Sequence, residues 1–142
     1  AEAEYQRAIA IKPDFDKPYN NLGRLYILGK NYSAAIPPLK KGLDLTTDTK
    51  VKYTLLKNLG WALIEEESYE EARVYLQEAI ALDGKRAPAH CLLAQVLEAR
   101  GDRVGVQEKW KNCLEYGSED NPDEIIWMNQ ARDWLQSKNT QK

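Results

Sequence analysis

The side chains in this chain that could do chemistry are few, and their spacing keeps them apart. His90 and Cys91 are a base and a nucleophile by type, but consecutive residues of a helix point about 100° apart and cannot share a proton. Cys91 and Cys113 stand 22 positions apart, with no CxxC pair and a single His in the chain. A zinc site needs four N or S ligands, so no metal or other cofactor is expected. The carboxylates of Glu65, Glu66 and Glu67 run directly into Ser68, as a solvated helix end does. No nucleophile, base and electrophile converge, and the chain is expected not to be an enzyme.

The remaining polar chemistry suits binding. Asn21 stands before Leu22-Gly23, and Asn58 stands before Leu59-Gly60. A carboxamide offers a donor and an acceptor together and can hold the backbone of an extended peptide without reading its side chains. A solvated polar face is the alternative. Trp61 lies one helical turn beyond Lys57 and is expected to face Arg24, which would make a cationic and aromatic anchor for a partner side chain; core packing is the other use of an aromatic at that spacing.

Net charge is -2 over 142 residues, without the clustered Lys and Arg that displace counterions from nucleic acid. The apolar runs are too short to span a bilayer, and the first residues lack a basic region followed by an apolar one. The expectation is a cytoplasmic protein that binds neither nucleic acid nor membrane. The only Met is Met128, which suggests a piece of a longer protein.

Helical periodicity runs through the whole chain. A first helix over 1–11 is expected to stop at Pro13. A second starts at Asp14 or Asp16 and breaks at Gly29-Lys30, and Asn31 caps a third. Pro37 and Pro38 should distort the third helix. "TTDT" at 46–49 is a loop with a spare cap before a fourth helix. Ser68 and Glu71 form a capping box on the fifth. The sixth spans Ala87 to Arg100 and closes on Gly101, Asp102 caps the seventh, and Asn121-Pro122-Asp123-Glu124 opens the last.

These helices repeat. Leu22, Leu59 and Leu93 are each followed four residues later by a bulky side chain, Tyr26, Leu63 and Leu97. In the second helix of each unit the small residue is Ala1, Ala35, Ala72 and Val106. The bulky one is Tyr5, Leu39, Leu76 and Trp110, and a second small one is Ala8, Gly42, Ala79 and Cys113. Units beginning at Asp16, Tyr53 and Ala87 are 37 and 34 residues apart. The pattern resembles the tetratricopeptide repeat, a pair of antiparallel helices with a period of 34.

The resemblance implies an all-α fold, an α-α superhelix or solenoid of antiparallel helix pairs. It divides the chain into the second helix of a truncated repeat at 1–15, repeats at 16–52, 53–86 and 87–120, a capping helix at 121–138 and a disordered tail at 139–142. Residues 121–138 depart from the pattern, and a partner-binding role for that helix is the alternative to capping. The resemblance also implies a concave groove lined by the first helix of each pair. The groove faces would carry Lys17, Asn20, Asn21, Arg24 and Leu28; Thr54, Lys57, Asn58, Trp61 and Glu65; and Pro88, Cys91, Leu92, Gln95 and Ala99. Of these, Lys17, Asn20, Asn21, Arg24, Lys57, Asn58, Trp61 and Gln95 are the expected contacts to a protein or peptide partner.

The asparagines resemble the ladder of some family members, with Leu92 in place of a third rung. The carboxylate clamp that holds chaperone tails in this family would fall on Asn20, Arg24, Asn58, Pro88 and Leu92, where only Asn58 is of the right type. The expected function is therefore a non-catalytic interaction module binding a peptide or partner domain in its groove. The alternative is a structural or regulatory region that positions an attached catalytic or signalling domain, or that self-associates through its truncated N-terminal end.

Overall fold

The computed structural model describes residues 2–12 and 16–140, the side chains of 138–140 excepted. Among the described residues the chain forms α1 (Glu2–Ile11), α2 (Asp16–Leu28), α3 (Tyr32–Leu45), α4 (Thr49–Glu65), α5 (Tyr69–Leu82), α6 (Ala87–Ala99), α7 (Val106–Tyr116) and α8 (Pro122–Thr140). The expected stop at Pro13, the cap at Asp14 and the packing of Ala1 lie outside the described residues. Residues 141–142 lie outside them too, whereas α8 continues through 139 and 140, where a tail was expected.

Each helix packs on its neighbours in sequence, and α2, α4, α6 and α8 also touch one another in turn. The odd helices form an outer row without such contacts among the described residues. That asymmetry makes an all-α repeat superhelix whose inner face belongs to the even helices. Its cause is visible at the glycines. A Cβ on Gly60 would lie 2.5 Å from Leu76 Cδ2 and Cγ, and Gly23 stands in the same relation to Leu39. Removing the side chain lets inner and outer helix close until the leucine packs on bare backbone. Ala94 and Trp110 hold the same offset in the third repeat, and both are buried. The outer-row residues Ala35, Leu39 and Gly42, Ala72, Leu76 and Ala79, and Val106, Trp110 and Cys113 are all buried.

The three inner helices end alike. The amides of Asn31, Ser68 and Asp102 donate to the carbonyls of Tyr26, Leu63 and Leu97 at 2.8, 2.8 and 2.9 Å. The residues before them, Lys30, Glu67 and Gly101, take positive φ of 60°, 60° and 71°. This six-to-one closure satisfies carbonyls at each helix end, and it corrects three expectations. The Ser68 capping box does not form: the Ser68 amide that Glu71 would accept from is already bonded to Leu63, and the Ser68 side chain makes no cap bond. Glu71 instead meets Lys40 Nζ at 3.0 Å, on the preceding repeat. Asn31 precedes α3 but its side chain caps nothing. Asp102 does not start α7: its Oδ1 accepts from Val104 N at 3.0 Å, and the helix begins after Gly105, whose φ of 89° suits glycine.

Purely local signals worked as expected. Asp48 Oδ1 accepts from the Lys50 and Val51 amides at 2.8 and 3.2 Å, and Asn121 Oδ1 from the Asp123 and Glu124 amides at 2.9 and 3.2 Å. The helix α3 is continuous from Tyr32 to Leu45 with Pro37 and Pro38 inside it, although neither proline has an amide to donate to the ladder. The last helix, α8, packs on α7 and α6 as the first helix of a further pair would, with Trp127, Met128 and Ala131 buried.

Candidate functional site

The inner face is built around α4. Asn58 Nδ2 donates to Asn20 Oδ1 on α2 at 3.3 Å, so one rung of the ladder joins two repeats through Asn20 rather than Asn21. Asn58 is only 1% exposed, and its Oδ1 has no partner. Lys57, one residue earlier, is 9% exposed. Among the described residues no carboxylate lies within ion-pair distance of its ammonium. Burial pushes its pKa down to about 8, Arg24 adds to the fall, Arg86 contributes less, and Asp123 and Glu124 oppose it. Those charges belong to α2, to the residue before α6 and to the start of α8.

Tyr53, a turn before Lys57, anchors the next repeat. Its hydroxyl accepts from the Ala89 amide at 3.1 Å and donates to the Arg86 carbonyl at 3.4 Å. The Arg86 guanidinium lies over its ring, 4.1 Å from the centroid, a cation-π contact that holds this charge beside the inner face. Burial pushes the Tyr53 hydroxyl up to about 12.

Trp61 does not make the expected pair with Arg24. Its ring is half-buried and meets Trp127 of α8 edge-on, with centroids 5.2 Å apart. Gln95 Nε2 donates to Gln130 Oε1 at 3.0 Å, again tying α8 to the inner row. Lys17, Asn21 and Arg24 are exposed on α2. The third face departs from expectation: Pro88, Cys91 and Leu92 are buried, and Cys91 is bonded to Cys113 of α7, so it turns toward the outer helix.

That disulfide went unforeseen. The Cys113 offset marked it as a small core residue, and it is fully buried, but nothing in the spacing gave the approach of α6 to α7. His90 is turned elsewhere: its Nε2–H donates to the Gly84 carbonyl at 2.8 Å, while Nδ1 is buried without a partner. Burial lowers the His90 pKa, consistent with a neutral ring fixed as one tautomer. Among the described residues no three His, Cys, Asp or Glu side chains cluster to hold a metal ion. Among the described residues no helix is long and apolar enough to cross a membrane.

The inner row, the outer row and the shared helix endings define a helical repeat chain. Residues 54–86 match the tetratricopeptide repeat model. The chain is 30% identical over 132 residues to the BBSome complex member BBS4 of Xenopus tropicalis, a match covering 92% of this chain and 24% of that protein. It therefore spans about a quarter of that relative. Among solved structures, PilF of Pseudomonas aeruginosa superposes with a TM-score of 0.77 at 17% identity, covering 97% of this chain and 61% of that one. A crystal structure of MamA gives 0.71 at 22%, covering 98% and 89%. Residues 54–86 are thus a tetratricopeptide repeat, and the chain as a whole has the all-α repeat superhelix of these structures. The fold is a protein-interaction scaffold, generally non-catalytic, which works by presenting an extended inner surface.

Proposed function

We propose that the inner face of α2, α4 and α6 binds an extended segment of a partner protein, with Lys17, Asn20, Asn21, Arg24, Lys57 and Asn58 as its contacts. The supporting observation is unspent polar capacity concentrated on one strip. Asn58 Oδ1 is buried without a partner, and Lys57 is covered along its stem, 9% exposed, with no carboxylate at ion-pair distance among the described residues. Burying such groups unpaired is costly, and a bound segment offers the missing bonds. Trp61 and Gln95, half-committed to Trp127 and Gln130, form the far border of the strip. The repeats at 16–52, 53–86 and 87–120 are the units that carry it, with α1 packed beside the first and 121–138 covering the last.

The test is selection of short peptides from a random display library on the intact chain, repeated on the Asn21→Ala, Asn58→Ala double variant. Selected peptides should bind the variant at least about tenfold more weakly, with circular dichroism unchanged. Peptides that bind both proteins equally would place the contact off this face.

A second reading has its own observation. No residue of α1 is buried, and Ile11 is 83% exposed, which leaves an apolar edge for self-association or for an attached domain. If that edge pairs two copies, the chain should elute in sizing as a concentration-dependent dimer, and Ile11→Glu should return it to monomer. A monomer at all concentrations excludes pairing through α1. Action in the cytoplasm is the reading from sequence. The disulfide weighs against it, since such bonds persist mainly in oxidising surroundings.

A further inference from the structure

We propose that Lys57 is the point at which the inner face receives an anion, and that the anion is the side-chain carboxylate of an aspartate or glutamate within the partner segment. This rests on the groove reading and names the chemistry of what the groove takes. A lysine on a protein surface leaves most of its side chain in water, whereas Lys57 keeps 9% of its surface and, among the described residues, meets no carboxylate at ion-pair distance. A lysine held this closely against the fold loses part of its hydration and here gains no ion pair in return. Core packing does not demand it, because the equivalent position is Asn20 in the preceding repeat and Cys91 in the following one.

The surroundings define the ligand. The positive charges of Arg24 on α2 and of Arg86, the residue before α6, both act on Lys57 and lower its pKa. Arg86 is held there by the Tyr53 ring. On the opposite side Asp123 and Glu124, at the start of α8, act on the same ammonium in the opposite sense. Neither forms an ion pair with it. An anion at this point gains the field of the three cations, and attraction and repulsion both scale with its charge. Asn58 Nδ2 and Asn20 Oδ1 flank the spot and are already bonded to each other, which leaves the charged contact to Lys57.

The position is unlike a site for a free chain end. Lys57 is none of the five positions at which a terminal carboxylate clamp would fall, and at those positions this chain carries Asn20, Arg24, Asn58, Pro88 and Leu92. A side-chain carboxylate arrives on an extended backbone whose amides remain for the asparagines, so both halves of the strip are used at once.

The probe is a library of short peptides, acetylated at the N-terminus and amidated at the C-terminus, in arms that differ at one central position. That position is glutamate, glutamine or phosphoserine. A further arm has glutamine there and a free C-terminal carboxylate as its only anion. The glutamate arm should bind at least about tenfold better than the glutamine arm, the range of a charge-assisted hydrogen bond. Lys57→Met should erase that preference with its fold retained, and Arg24→Ala, at an exposed side chain, should reduce it less. The glutamate preference should also fall roughly tenfold between pH 7 and pH 9 as the ammonium deprotonates around 8, a range in which an ordinary lysine stays charged.

Equal binding of the glutamate and glutamine arms, or a preference that survives Lys57→Met, overturns the proposal and leaves the groove reading standing if both arms still lose affinity in the Asn21→Ala, Asn58→Ala variant. A preference for phosphoserine or for the free C-terminus overturns the assignment to a side-chain carboxylate. Absence of binding in every arm removes the groove reading and this inference together.

Discussion

Replacing Cys91 and Cys113 together by alanine should lower unfolding stability by about 3 kcal/mol, read from the midpoint of a urea titration against the oxidised chain. The bond joins α6 to α7 across a sequence separation of 22, so it closes a loop whose freedom in the unfolded chain is the main term removed. The two helices it ties are the pair on which α8 packs, and loosening them should expose Trp110 and Trp127 at lower urea than in the oxidised chain. Both sulfurs are fully buried. Reductant should therefore leave the folded protein oxidised and act only when denaturant opens it. If the denatured, unreduced protein titrates two free thiols, the bond is not made in the isolated chain and the expected loss vanishes.

The disulfide also shows where the sequence stopped being informative. The repeat was legible because it is written in side-chain size at fixed offsets. Small residues at 23, 60 and 94 face bulky ones at 39, 76 and 110, and those offsets survive whatever the rest of the chain does. Asp48 and Asn121 were legible for the same reason, since a cap depends on three neighbouring residues. Ser68-Glu71 has an equally good local signature and failed, because the end of α4 takes the Ser68 amide first. Competition between adjoining helix ends is not visible in either helix alone.

The candidate site was legible as a face but not as a geometry. Asn58 and Lys57 stand on the inner helix as expected. What decides their chemistry comes from α8, which departs from the repeat and so had no template. Trp127 packs edge-on against Trp61, and Asp123 and Glu124 set a negative field on Lys57. Asn20 rather than Asn21 reaches Asn58, a difference of one residue and about 100° of helix rotation that a count of asparagines cannot resolve.

The substitution Lys57→Met should make the protein more stable at pH 7, by about 1–4 kcal/mol. The lysine's pKa falls from 10.5 to about 8 on folding, which corresponds to a penalty of about 3 kcal/mol on the folded state at neutral pH. The direction with pH follows from proton counts. Below pH 8 both states hold the proton and the penalty is complete. Between 8 and 10.5 the unfolded chain keeps a proton that the folded one has lost, so wild-type stability rises with pH. Tyr53, pushed up to about 12 by burial, works the other way above 10, where the unfolded phenol ionises first. The clean interval is therefore from 8 to just under 10. There the stability difference between variant and wild type should narrow steadily, since every other titrating group is common to both and only Lys57 differs. A side chain that destabilises the fold and whose removal also erases acidic-peptide preference would be retained for binding. Equal stability of the two proteins across this interval would show that the Lys57 ammonium is solvated, and the argument for an anion at that point would lose its basis.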